Sequence, residues 1–357
     1  MGVIFLLRFV LRNRNSSGAF AACITIVRVV FMSNAVSRPM SCLSAKLKSI
    51  SSEGPLCEAA VDAVIALATA AANIATVIRF RDADAALGAV RGSANVDGDD
   101  QKALDIIADE MIQNALSEVK AVASYLSEEQ DAALQIHDDG KVIVASDPLD
   151  GSSNIDTNVS IGTIFSILPA AGGVLQAGRN QIAAGFFVYG PQTTLLITFG
   201  ERVMAFQLDD DGEFYDMDWK VKIIPDTDEF AINASNMRQW HSDVAAYITD
   251  CLAGATGPRM QSFNMRWIGS LVADAWRIFR RGGIFLYPAD SRSGYETGRL
   301  RLVYEANPIA FLVEAAGGKA VDGSDPILDL LPPTIHARVP FIFGSSNEVD
   351  EFMRYRS

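Results

Sequence analysis

Six apolar segments follow one another between residues 121 and 208 with little room for helices between them: AVASYLSEE, KVIVASD, TIFSILPA, QIAAGFFVYG, TTLLITFG and RVMAFQL. Short runs of this kind, bounded by turn residues, read as strands. So many in succession commit the middle of the chain to one sheet. The flanks differ. Upstream, CEAAVDAVIALATAAANIATVIRF repeats apolar residues at helical spacing and predicts one long helix. In RGSANVDGDDQKALDIIADEMIQNALSEV a Gly/Asn/Asp loop opens a second helix, with Asp99 or Asp100 as its cap. Downstream the pattern is mixed, with helices in HSDVAAYITDCLA, SLVADAWRIFR, NPIAFLVEAAGG and SSNEVDEFMRYR and a strand in GGIFLYP. A chain of 357 residues is longer than one ordinary core serves. The expected fold class is therefore α/β, either two domains, over 51–230 and 231–357, or one large layered unit.

Residues 1–50 stand apart. They carry arginines and serines, and the first acid of the chain is Glu53. Their longest apolar piece is interrupted by Arg28 and falls short of the roughly 20 residues that a spanning helix needs. An arginine-rich, acid-free leader is either an organelle transit peptide or an upstream extension with Met32 or Met40 as the true beginning. On either reading folded sequence is expected to begin near Pro55. The formal net charge of -13 argues against nucleic-acid binding, because a phosphate backbone needs a basic surface to displace its counterions. An acidic protein that handles phosphates needs metal ions or a local basic pocket. The cysteines (Cys23, Cys42, Cys57 and Cys251) form no CxxC pair, and His137, His241 and His336 lie far apart, so neither a disulfide framework nor a zinc cluster is indicated.

The acids supply the chemistry. Glu128 and Glu129 follow one strand, and Asp147 and Asp150 follow the next. If the two strands end at the same edge of one sheet, both pairs project into one crevice, where open α/β sheets bind ligands. Mg²⁺ takes oxygen ligands and prefers a few carboxylates together with substrate phosphate and water. Any single pair alone reads more readily as a solvated loop of acids, and it is the second pair that shifts the balance towards a cation site. Gly151, Ser152 and Ser153 add a complementary device, since a glycine admits close backbone approach and successive N–H groups cradle phosphate.

DPLDGSSNID, with LSEE upstream and GGIFLYP and RLRLVYEANPIAFLVEAAGG downstream, resembles class I fructose-1,6-bisphosphatase, within the wider sugar-phosphatase group that includes inositol monophosphatase. The resemblance runs in order from about residue 55 to the C-terminus. It implies a layered sandwich of two related halves and the release of phosphate from C1 of a sugar bisphosphate. It implies that Glu128, Asp147, Asp150, Glu305 and the Leu149 carbonyl hold two or three Mg²⁺ ions, with Mn²⁺ or Zn²⁺ as substitutes. Asp99 and Asp105 match acids near the metals, and Glu129 with Asp105 would prepare the attacking water. The 1-phosphate would lie beside Asp150, on the amides of Gly151, Ser152 and Ser153, and on Arg301. The distal phosphate would meet Asn233, Tyr287, Trp267, Arg299 and Arg266, the last reaching in from a neighbouring subunit. The same likeness implies a cytoplasmic homotetramer acting in gluconeogenesis or the Calvin cycle, organellar if the leader is a transit peptide, with no membrane or nucleic-acid partner.

Departures from the family pattern bear on specificity. Arg299 stands where a lysine is usual, and Asn236 and Trp267 replace two tyrosines of the distal pocket. Lost hydroxyl contacts leave room for a longer sugar, so sedoheptulose-1,7-bisphosphatase or dual specificity is the alternative. An inositol-phosphatase-like enzyme would share DPLDG but lack RLRLVYEANP. A non-catalytic effector-binding relative would lose an acid, whereas the matched acids are all present. The cysteine insertion of thioredoxin-sensitive relatives is missing. Of the family's AMP contacts Lys141 survives, but Val142 follows it, Pro169 replaces an arginine, and SSEGPL matches poorly. Inhibition by AMP is therefore expected to be weak or absent, and tight inhibition at micromolar AMP in a steady-state assay would refute this.

Overall fold

The computed structural model describes residues 8–14, 20–26, 41–80, 90–94 and 100–356. Within residues 1–39, a unit of its own, β1 (Arg8–Arg14) and β2 (Phe20–Ile26) pair antiparallel. Residues 40–357 form a second unit. It opens with α1 (Leu43–Ser51), followed by α2 (Pro55–Phe80), β3 (Val90–Ala94), β4 (Asp100–Lys102) and α3 (Ala103–Ser117). Folded structure thus begins earlier than Pro55. Leu43, Leu47 and Ile50 recur at helical spacing, and Leu43 and Leu47 are buried in the core. That signal was obscured because it sits at the end of the arginine-rich leader. Nor is Asp100 the cap of α3: it pairs with Ala94 in the β3–β4 ladder, and the helix starts after Lys102. Asp99 lies outside the described residues.

The six expected strands lie in a sheet of eight. In chain order these are β5 (Val122–Ser127), β6 (Leu134–Gln135), β7 (Val142–Asp150), β8 (Ile161–Pro169), β9 (Ala183–Tyr189), β10 (Thr193–Thr198), β11 (Val203–Leu208) and β12 (Phe214–Asp216). Their spatial order is β12-β11-β10-β9-β8-β7-β5-β6. β5 and β7 are parallel and adjacent, and the other neighbours are antiparallel. The parallel pair is what brings the two acid pairs to one edge. Both faces of the sheet are covered, which is why its strands read as nearly continuous apolar runs. In β9, Ala183, Phe187 and Tyr189 point to one core and Phe186 and Val188 to the other, as the two-residue period demands.

The second half adds β13 (Glu229–Ala231), α4 (Ser242–Leu252), β14 (Asn264–Met265), α5 (Leu271–Arg281), β15 (Ile284–Tyr287), β16 (Leu300–Arg301), α6 (Asn307–Ala315), β17 (Lys319–Val321), β18 (Arg338–Val339), β19 (Phe341–Gly344) and α7 (Ser346–Arg354). A five-stranded sheet runs β14-β13-β15-β19-β17, and β16 pairs separately with β18. Five layers result. α1, α2 and α3 cover one face of the large sheet; α5 and α6 fill the space between the two sheets; α4 and α7 cover the outer face of the smaller one. By length and composition α2 could cross a membrane, yet half of its apolar window is buried within the protein, and it packs on α3 and the sheet.

Leu47 is fully buried in the first core, so Leu47→Ala should destabilise the protein by about 2–5 kcal/mol. Chemical denaturation monitored by circular dichroism measures this, and an unchanged midpoint would place α1 outside the cooperative core.

Candidate active site

The chain opens the site at β7. This strand does not stop at Ser146, where the apolar run ends, but continues through Asp150, with its register against β8 irregular between Asp147 and Asp150. An irregular register re-aims side chains, and here Asp147 and Asp150 converge on Glu305, one oxygen of each lying within 4.8 Å of the others. Glu305 arrives from the other half on a π-helical turn, Leu302–Ala306, that runs into α6. Pro308 has no N–H, so the α-helical bond to the Tyr304 carbonyl cannot form. Instead the Asn307 N–H reaches back to the Leu302 carbonyl, the five-residue register of a π turn.

Each of the three carboxylates gives one oxygen to the protein's own backbone. Asp147 Oδ1 accepts from Leu149 N at 3.0 Å, Asp150 Oδ2 from Val272 N at 2.9 Å, and Glu305 Oε2 from Arg301 N at 2.6 Å. Val272 lies in the first turn of α5, and Ser270, the residue before that helix, also contacts Asp150 Oδ2 at 3.3 Å. Gly162 permits this approach: a Cβ there would lie 2.6 Å from a Val272 methyl and 2.1 Å from the Phe187 carbonyl.

All three acids are buried, with 5–7 % exposure. Loss of hydration, followed by repulsion from Glu128 and the other two acids, raises Asp147 well above the usual carboxylate range. Burial, then Glu128, does the same to Glu305. Asp150 is pushed up to about 7, chiefly by burial, with the Val272 N–H opposing the shift. Glu128 lies just beyond β5, its N–H bonded to the Ser146 carbonyl of β7, and its carboxylate pairs with the buried Arg301 guanidinium. An all-oxygen, buried cluster of acids that repel one another is the donor set of a hard divalent cation.

Gly151 follows in the left-handed region, φ 81°, and caps a 3₁₀ turn, Ser152–Thr157. A side chain at Gly151 would come within 3.3 Å of Ser270 in a conformation that L residues rarely adopt. The amides of Ser152 and Ser153 open the turn, where backbone N–H groups have no intrahelical acceptor. Asn154 ties the turn to the α5 segment through Nδ2 and the Gly269 carbonyl, 2.9 Å apart.

Comparison with known proteins matches residues 51–218 to the family described as fructose-1-6-bisphosphatase, N-terminal domain, and residues 223–357 to its C-terminal domain. The chain belongs to the class I fructose-1,6-bisphosphatase family. Among relatives, the class 1 enzyme of Azorhizobium caulinodans is 50 % identical over 88 % of this chain and 98 % of its own. A class 1 enzyme of Xanthobacter autotrophicus is 48 % identical over 83 % and 93 %. The crystal structure of Leishmania major fructose-1,6-bisphosphatase in holo form superposes with a TM-score of 0.83 at 32 % identity, covering 89 % of this chain and 99 % of that one. The fold is thus that of the family, this chain is a phosphoric monoester hydrolase, and membership implies dependence on a divalent metal.

The other bisphosphatase positions expected from sequence are less closely gathered. Asp105 is buried in the first turn of α3, and Glu129 is half-buried beside Glu128. Leu149 is buried between Asp147 and Asp150. Trp267 stacks on Phe285 at 5.5 Å and lies 6.0 Å from Tyr287. Arg299 is exposed and donates to Tyr295 Oη at 2.9 Å. Asn233 Oδ1 is engaged by Ser235, and the half-exposed Arg266 lies 3.7 Å from Glu229. Sequence reasoning missed Ser270 and Val272. The serine that opens SLVADAW was a legible helix start, but its contact with an acid 120 residues away was not. A groove on α2 bears Lys141 and Lys120 among Glu58, Asp62, Glu118 and Asp139, an acid-rich lining that disfavours a nucleotide phosphate.

Because the folded protein holds the Asp150 proton more tightly than an unfolded chain, this group's contribution to stability is present at low pH and is lost as pH rises through about 7. A divalent cation must displace that proton. Its apparent affinity should therefore fall by about tenfold per unit of pH below 7. Thermal-shift titration with Mg²⁺ after chelation checks this; a pH-independent affinity would contradict it.

Proposed function

We propose the division of roles by which this site works. The reaction is hydrolysis of fructose 1,6-bisphosphate to fructose 6-phosphate and inorganic phosphate. The observation that carries the reading is the convergence of Asp147, Asp150 and Glu305, followed in the chain by the 3₁₀ turn that Gly151 caps. On this reading Glu128, Asp147, Asp150, Glu305 and the Leu149 carbonyl hold two or three Mg²⁺ ions. When bound, these ions neutralise phosphoryl oxygens and lower the pKa of water, which phosphate monoesters need because their uncatalysed hydrolysis is among the slowest reactions known.

The chain's own groups do the rest. The amides of Gly151, Ser152 and Ser153 orient the 1-phosphate. Arg301, buried and braced on Glu128, offers a planar fork to the same group. Glu129 and Asp105 prepare the attacking water, and Asp99 is assigned to the same catalytic set. At the other end Asn233, Trp267, Tyr287, Arg299 and a neighbouring subunit's Arg266 receive the distal phosphate. We read the enzyme as a cytoplasmic homotetramer. A second activity on sedoheptulose 1,7-bisphosphate is favoured by Trp267 and Asn236, which remove two hydroxyls from the distal pocket.

Phosphate release from both sugars, measured as kcat/KM with Mg²⁺, tests the reading. Asp147→Asn should lower turnover at least about 10²-fold on either substrate while leaving the circular dichroism spectrum unchanged. Full activity in this variant would remove Asp147 from the metal site.

A further inference from the structure

The turn after β5, Glu128 to Gln130, carries two of the proposed functional acids, yet only part of its anchoring comes from its own sheet. The Gln130 N–H returns to the Ser127 carbonyl, and the Glu129 N–H to Ser127 Oγ at 3.2 Å. The Gln130 side chain donates to Asp109 Oδ2 on α3 at 2.7 Å, while the other oxygen of that buried carboxylate accepts from Tyr125 Oη of β5 at 2.8 Å. α3 and β5 thus share one acid, and Gln130 is pinned to it from the side.

The backbone of Gln130 is pinned from the opposite half of the molecule. His336 Nε2 lies 3.0 Å from the Gln130 carbonyl oxygen. A carbonyl only accepts, so Nε2 carries the proton. Nδ1 is buried and has no hydrogen-bond partner among the described residues. The ring packs on Tyr304 at 5.5 Å, the residue before Glu305. One residue further, the Ala337 carbonyl accepts from Leu302 N at 2.8 Å, and Arg338 is the β-partner of Arg301. His336 therefore spans the same gap as the Glu128–Arg301 ion pair.

We propose that His336 is a positioning residue for the metal centre: its Nε2–H bond to Gln130 locks the Glu128–Gln130 turn at a fixed distance from the segment that carries Arg301 and Glu305. Neither the family match nor the acid cluster assigns it such a role. The inference rests on the reading of Glu128 as a metal ligand. Groups that fix ligands from behind typically alter metal affinity by about 10–100-fold when removed.

Binding of Mn²⁺, followed directly by electron paramagnetic resonance on the chelated full-length protein, tests it without relying on turnover. His336→Phe keeps a ring against Tyr304 and removes the donor; Mn²⁺ should bind about tenfold more weakly, with the KM for sugar at saturating metal unchanged. His336→Gln restores an amide donor at a similar reach and should bind within about threefold of wild type. Wild-type affinity in His336→Phe overturns the inference, as does an equal loss in both variants, which would assign the effect to ring packing. If His336→Phe does not fold, His336→Leu removes the same donor with a smaller apolar side chain, and undiminished Mn²⁺ binding there also overturns it. Failure of the wild-type protein to bind Mn²⁺ would instead overturn the metal reading on which the inference rests.

Discussion

Three carboxylates are buried within one ligand sphere, and the rest of the molecule is arranged around that fact. Burying one unpaired charge costs several kcal/mol, and burying several of one sign is worse. The chain meets the cost with directed backbone donors: a Leu149 N–H for Asp147, the first turn of α5 for Asp150, and the Arg301 N–H for Glu305. Such bonds favour the ionised form, as the opposing influence of Val272 on Asp150 illustrates. They do not suffice, since all three acids remain raised. Acids so arranged are oxygen donors for a hard divalent cation, and that is the chemical meaning of the site.

The same requirement explains why the site belongs to no single layer. Asp147 and Asp150 come from the large sheet, the stabilising N–H of Val272 from a helix between the sheets, and Glu305 from a π turn whose register Pro308 sets. α5 and α6 fill the second core, among Ile164, Phe186 and Leu196 on one side and Phe285, Phe341 and Phe343 on the other. Only when these helices are seated does α5 point its N-terminus at Asp150, where the helix dipole adds to the N–H bond. Packing and ligand geometry are thus one event, and a cavity in this layer would be felt at the metal.

Much of this was legible in the sequence because it is local. The six apolar runs gave the sheet, and DPLDG beside LSEE gave the acids, since both depend on neighbours within ten residues. Two local features misled. Leu43 and Leu47 form an ordinary amphipathic turn, but they adjoin a leader whose composition hid them. Asp100 looked like a helix cap because aspartate is common there, and strand pairing with Ala94 took precedence. What could not be read was the set of contacts across long separations: Ser270 and Val272 on Asp150, Arg301 on Glu128, His336 on Gln130. None has a period or a spacing. Each exists because layers pack, so only the three-dimensional arrangement reveals it.

The two ends of the proposed substrate site differ physically, and the difference bears on specificity. At the metal end, side chains are buried and held by backbone hydrogen bonds, so they have one geometry to offer. At the distal end, Arg299 is exposed, Arg266 is half-exposed, and the organising contacts are ring stacks, Trp267 on Phe285 and both Arg292 and Arg299 over Tyr295. Stacks tolerate sliding and guanidinium groups swing, whereas a tyrosine hydroxyl fixes one distance. The indole nitrogen of Trp267 lies against Gly269, where even a Cβ would be 3.5 Å away, so it faces the backbone leading into Ser270. Replacing tyrosine by tryptophan therefore exchanges a directional hydroxyl for apolar surface. On the proposed division of roles, discrimination between a six- and a seven-carbon bisphosphate would then fall to charge and reach at Arg299 rather than to hydrogen bonds at residue 267.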